Sequence, residues 1–136
     1  MEKENQVYIV AGDEMKRMMK NRYPDYETIP FREDLSKGHV GGFLINRDFI
    51  EERAAFWGVT QVEYRDKFAP IIDLDLARQY VLCFGEDDCC QANLKFMVGY
   101  LRSKGYDQPI QIRIVNEYDL TVLEEYQLDM TEDRSL

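Results

Sequence analysis

Two uninterrupted apolar runs, Val7-Tyr8-Ile9-Val10-Ala11 and Tyr80-Val81-Leu82-Cys83-Phe84, constrain this chain most, because each runs into a glycine followed by an acidic residue. A strand exposed on one face alternates apolar with polar residues, whereas one covered on both faces is apolar throughout. Gly12-Asp13 and Gly85-Glu86-Asp87-Asp88 then lead into segments with apolar residues at helical spacing. These are Met15, Met18 and Met19 after the first, and Cys90, Leu94, Met97, Val98 and Leu101 after the second. Parallel strands need crossovers of this kind. The pattern predicts an α/β domain whose mostly parallel sheet lies between two helix layers.

Tyr26 to Phe31 is strand-like, but Pro30 cannot donate to a ladder, which predicts an edge strand. Ile110, Ile112 and Ile114 alternate with Gln111 and Arg113, as in a half-exposed edge strand. A further edge strand is expected around Leu120 to Leu128, with residues 129–136 frayed. Asp13 is a candidate cap for the first helix, which stops before Pro24. Asp48 with Glu51, Thr60 with Glu63, and Asp88 with Gln91 have capping-box spacing. Gly58 and Gly105 end the first and last of these helices, Pro70 limits the middle one, and Ile71 to Ala77 is ambiguous. Phe49, Phe56 and Trp57 fit a helix packing on the sheet, with Phe43 in the loop before it.

Right-handed crossovers then give the strand order 2-1-3-4, with an extra edge strand at the C-terminus. This is a small three-layer, Rossmann-like or flavodoxin-like domain. A chain of 136 residues suits one core, so residues 1–136 are expected to form a single domain.

Charge narrows the partners. Seventeen basic against 26 acidic residues give a net charge of −9, which opposes the phosphate neutralisation that nucleic-acid binding needs, and anionic membranes are disfavoured likewise. No apolar run approaches bilayer length, and Met1-Glu2-Lys3-Glu4-Asn5 has no apolar signal region. Cys83, Cys89 and Cys90 are odd in number with two adjacent, a poor disulfide framework. A cytoplasmic protein with reduced thiols is expected, its partner a small molecule or another protein.

In open α/β sheets, ligands bind beyond the carboxyl ends of the strands where the strand order reverses. That reversal lies between the first and third strands, so Gly12, Asp13 and the segment Gly85 to Asp88 flank the expected crevice. Arg32, Glu33 and Asp34 end the neighbouring strand and border it, followed by a long loop containing Gly38, Gly41 and Gly42. Two helix N-termini favour an anion there, yet Asp13, Glu86, Asp87 and Asp88 repel one, so a bare phosphate is disfavoured. Asp13 and Asp87 are instead candidate ligands for Mg²⁺, with Arg32 clamping a metal-bound phosphate. The competing reading makes Asp13 and Asp88 helix caps and leaves Glu86 and Asp87 solvated. No spaced glycines or P-loop lysine support a nucleotide fingerprint.

Cys89 and Cys90 occupy a helix's first turn, which lowers a thiol pKa, but neighbouring acids raise it, so the thiols are expected to be structural. His39, the single histidine, reads as a loop residue. Zinc is disfavoured because Cys83 sits within an apolar strand and no paired CxxC spacing exists.

Four segments resemble the domain-of-unknown-function family eighteen thirty-five: Tyr8 to Asp13, Arg32 to Gly38, Phe49 to Phe56, and Phe84 to Leu94. They run in order across residues 7 to about 101. Gly12, Asp13, Arg32, Glu33, Gly38, Asp87, Cys90 and Gln91 match the family's motifs. Tyr8 stands where the family has His, Ala11 where it has Asn, His39 where it has Pro, and Gly85 where it has Glu. The resemblance implies a site at the same strand ends and adds Gly38 and Gln91 to its ligand-binding candidates. It implies no particular activity.

Two functions follow as expectations. One is a small-molecule or phosphoester site, metal-assisted, at the C-terminal ends of the parallel strands. The other is a non-catalytic protein-interaction or regulatory module, consistent with the acidic surface and the replaced motif residues.

Overall fold

A computed structural model describes residues 6–130, so the chain ends 1–5 and 131–136, including most of the tail expected to fray, lie outside the described residues. The elements in order are β1 (Gln6–Val10), α1 (Asp13–Arg22), β2 (Glu27–Pro30), α2 (Arg47–Trp57), α3 (Gln61–Ile72), β3 (Gln79–Phe84), α4 (Asp88–Ser103), β4 (Ile110–Val115) and β5 (Val122–Leu128). The sheet order is β2-β1-β3-β4-β5. β1 to β4 pair in parallel and β5 runs antiparallel to β4, so the expected order is borne out and the extra C-terminal strand is present.

The apolar runs form the two strands at the heart of the sheet, with Val7 to Val10 and Tyr80 to Phe84 all buried. Because side chains alternate along a strand, the runs serve two cores. Val7, Ile9, Leu82 and Phe84 face a large core with Phe31, Phe68, Phe96, Met97 and Leu101, built from α2, α3 and α4. Tyr8, Val10, Val81 and Cys83 face a smaller one, closed by Met15 and Met19 of α1. Three helices therefore cover one face and one covers the other.

Several local expectations are corrected. Asn46, not Asp48, caps α2, its Oδ1 accepting the Phe49 N–H at 2.9 Å. Asp87, not Asp88, caps α4, accepting the Cys90 N–H at 2.8 Å, while the Gln91 amide donates to the Gly85 carbonyl. Asp13 is the first residue of α1, and Gly12 before it offers no side-chain cap. Spacing alone cannot choose between neighbouring polar residues, since the cap is whichever is still extended when the helix begins. The Thr60–Glu63 capping box is present in full.

α3 also runs through Pro70 to Ile72, because proline here removes only one hydrogen bond near the helix end and Ile71 is fully buried. β4 is an interior strand: β5 covers its outer side, and the alternation of Gln111 and Arg113 reflects the sparsely covered face, where Arg113 pairs with Glu125. Of the four aromatics expected to pack on the sheet, Phe49 is buried, whereas Phe43, Phe56 and Trp57 are exposed.

α4 ends as expected. Gly105 has φ 80°, and the Tyr106 N–H reaches back to the Leu101 carbonyl at 3.0 Å. Nothing lies within 4 Å of a Cβ added at Gly105. Gly105→Ala therefore carries only the left-handed backbone penalty, about 1 kcal/mol. The check is thermal melting, in which an unchanged midpoint would refute this helix stop.

Candidate functional site

β2 ends at Pro30, and the Phe31 N–H donates to the Val10 carbonyl at 2.8 Å, keeping the chain beside the end of β1. Arg32, Glu33 and Asp34 then leave the sheet at the carboxyl end of β2, where topology placed them.

Glu33 turns inward. Its carboxylate accepts five hydrogen bonds: two from Arg53 and one each from Tyr64, Trp57 and the Asp34 N–H, all between 2.7 and 2.8 Å. The Glu33 side chain is fully buried and that of Arg53 is 1% exposed. Burial by itself raises a carboxyl pKa, but the donors from Arg53, Tyr64 and the Asp34 backbone outweigh it and hold Glu33 below its ordinary value. Arg53 also donates to the carbonyls of Asp34, Lys37 and His39. Asn93 of α4 works from the other side, donating to the Glu33 carbonyl at 2.8 Å and accepting the Leu35 N–H at 2.9 Å. The glycine loop is thus fastened to α2 and α4 through one ion pair and one buried amide.

Arg53, Asn93, Tyr64 and Trp57 were not singled out as polar partners from the sequence. A signal existed for two of them. Arg53 interrupts the apolar stripe of Phe49, Ile50 and Ala54, and Asn93 interrupts that of Cys90, Leu94 and Met97. A polar residue at a core position needs a buried partner.

Beside this network lies a groove with a cavity volume of about 770 Å³, lined by Arg32, Asp34, Trp57, Val59, Tyr64 and Lys67, with Glu33, Glu63 and Asp66. Most of its carboxylates are engaged. Glu33 is saturated; Asp34 accepts from the backbone and hydroxyl of Ser36 and lies 3.9 Å from Lys37; Glu63 accepts the Thr60 N–H. Arg32 shares an ion pair of 3.0 Å with Asp13, whose side chain is 68% exposed. Among the described residues neither Lys67 nor Asp66 is in an ion pair.

The remaining candidates separate. Gly12 follows β1 with φ 117° and its N–H bonded to the Val10 carbonyl. Gly38 sits under Phe56 and Arg53 in the fastened loop. Gln91 holds the turn after β3 through Gly85. Asp87 gathers with Cys90 and Glu117, a group that does not include Asp13. The two carboxylates expected to share a metal are engaged separately, Asp13 with Arg32 and Asp87 with the first turn of α4.

All three thiols are pushed up. Burial raises Cys83 to about 11. Burial, then the Asp34 carboxylate, raises Cys89 to about 12. Burial, then Asp87, raises Cys90 to about 12. Iodoacetamide at pH 7 should alkylate each about tenfold or more slowly than free cysteine, since the thiolate is the nucleophile. Alkylation of Cys89 faster than free cysteine would sink this expectation. His39 is exposed, with its Nε2 3.7 Å from a Glu52 oxygen.

No helix of the described residues is long and apolar enough to cross a membrane. A scan against protein-family models found no match for this chain, and a search of the curated proteins found no significant one.

Proposed function

We propose that this chain binds a small organic anion, a carboxylate or phosphoester with an apolar body, in the groove at the carboxyl end of β2. The observation that carries the reading is the groove's division of charge. Its carboxylates other than Asp66 are hydrogen-bonded within the protein, while Lys67 makes no close ion pair among the described residues and Arg32 is held only by an exposed partner. The cavity volume of about 770 Å³ falls in the range of small-molecule pockets. Trp57 offers a half-exposed ring for the apolar body, held in place by its indole N–H bond to Glu33.

This reading keeps the site at the strand ends and keeps Arg32 as anion clamp, moves its centre from the β1/β3 reversal to β2, and adds Lys67. It assigns binding and no reaction. Membership of the family eighteen thirty-five and a Rossmann-like or flavodoxin-like fold are part of the proposal on motif residues and strand order alone. Three free thiols support a cytoplasmic setting. The alternative, a protein-interaction module, draws on β5, an edge strand exposing Val122, Leu123 and Tyr126.

Trp57 is the single tryptophan, so its fluorescence reports on the groove directly. Phenyl phosphate and benzoate should quench it saturably, and benzylamine at matched ionic strength should not. Arg32→Ala and Lys67→Ala should each weaken binding about tenfold, the scale of a hydrogen bond to a charged group. Saturable binding of benzylamine with none of either anion would overturn the assignment.

A further inference from the structure

We infer that Asp13 is an internal competitor for Arg32, so that an anion enters the groove by displacing it. The inference rests on the reading of the groove as an anion site and deepens it. It names how access to that site is regulated and which anions gain entry, those that present two oxygens side by side.

Asp13 stands outside the groove that Arg32 lines. The two come from different elements, Asp13 opening α1 and Arg32 following β2, and they meet because β2 runs parallel beside the strand from which α1 departs. Arg32 Nε donates to Asp13 Oδ1 at 3.0 Å and to Oδ2 at 3.3 Å, and Nη2 lies 3.0 Å from Oδ1. That edge of the guanidinium is one a carboxylate or phosphoester would grip with two parallel hydrogen bonds. The other edge shares Nη2, so an anion there would sit beside the Asp13 carboxylate, and like charges held close repel. By either edge Asp13 opposes the ligand, and its departure relieves the conflict.

The Asp13 carboxylate is free to leave. Its side chain is mostly exposed, and among the described residues it makes no hydrogen bond or ion pair except with Arg32. It does not cap α1 either, since the cap position is Gly12. An exposed pair of this kind adds little to stability, and water rehydrates the released carboxylate. Glu33 and Arg53 are the opposite case, buried and saturated. The adjacent residues Arg32 and Glu33 thus carry one pair that guards the groove and one that fastens the loop.

Competition of this kind sets a threshold and leaves the ranking of ligands alone. Every anion that displaces Asp13 loses the same factor in affinity, so preference among ligands stays with Arg32, Lys67 and Trp57 of the groove while weak ligands are kept out. Binding becomes an exchange, in which one ion pair at Arg32 breaks as another forms. Salt screens both pairs, so it weakens binding less than it would at an unguarded arginine.

The test is titration of Trp57 fluorescence in the full chain with phenyl phosphate and with benzoate at low ionic strength. Asp13→Asn should tighten both about two- to fivefold, the factor that an exposed ion pair supplies, and should steepen the salt dependence. Glu14→Gln removes the same charge one residue away, from a carboxylate paired with Arg17, and should leave both affinities unchanged. In an Arg32→Ala background Asp13→Asn should have no effect, which confines the competition to that contact. Circular dichroism checks the fold, and Asp13→Ser takes the place of Asp13→Asn if the latter does not fold. Equal or weaker binding by the Asp13 variant, or tightening that persists without Arg32, would overturn the competitor and leave the groove reading standing. Absence of saturable binding in both the wild type and the Asp13 variant would overturn the groove reading and this inference with it.

Discussion

Arg53→Ala is expected to remove about 3–5 kcal/mol of stability at pH 7, because it leaves the fully buried Glu33 carboxylate without its bidentate partner. Three backbone carbonyls of the glycine loop lose a donor at the same time. The double variant Arg53→Met with Glu33→Gln should recover part of the loss, since it removes both charges while keeping most of the volume. Acid should reproduce the effect. Glu33 is held below its ordinary value of 4.5, so its contribution is fully present above that value and is lost as pH falls through the lower folded value. Urea midpoints measured from pH 7 downward should therefore fall below about pH 4.5 in the wild type, and the Glu33→Gln variant should show a flatter acid limb. A loss under about 1 kcal/mol in Arg53→Ala would mean that the pair behaves as an exposed one.

Gly38→Ala should cost about 2–4 kcal/mol, the sum of a left-handed backbone penalty near 1 kcal/mol and an overpacking penalty of about 1–3 kcal/mol. Gly38 has φ 76°, and an added Cβ would lie 2.8 Å from Phe56 Cδ1 and 2.9 Å from Arg53 Nη1. Phe56 is half-exposed and can rotate away. Arg53 cannot, because five hydrogen bonds hold its guanidinium. Gly105→Ala is the internal comparison, with the same backbone requirement and open space around it. Urea unfolding of the two variants side by side measures the difference. Equal losses would show that the loop gives way around residue 38 and that Arg53 does not pin it.

Both substitutions test one structural role. Glu33 and Gly38 were singled out as ligand-binding candidates, and the structure gives them internal work. Glu33 anchors the loop after β2, and Gly38 lets that loop pass beneath α2. A residue can sit at the strand end that topology favours and still be turned inward. Arg32, its chain neighbour, points to the groove instead. Adjacent residues face different ways where the chain leaves a sheet, and which of them meets solvent depends on the helix packed above.

The amino-acid sequence by itself determined the layers, the strand order and the approximate ends of most elements. Those follow from local rules: apolar runs that must be covered on both faces, glycines that permit a left-handed stop, and the handedness of crossovers. It also placed Arg32, Asp87 and Cys90 at strand ends, because connections after parallel strands emerge on one side of the sheet. Tertiary structure alone decided which carboxylates meet which partners. Glu33 and Arg53 are separated by 20 residues, Asn93 and Glu33 by 60, and Cys90 of α4 lies near Glu117 of the β4–β5 turn. Such pairings depend on side-chain directions set by packing between distant elements, which neither spacing nor periodicity along one segment encodes.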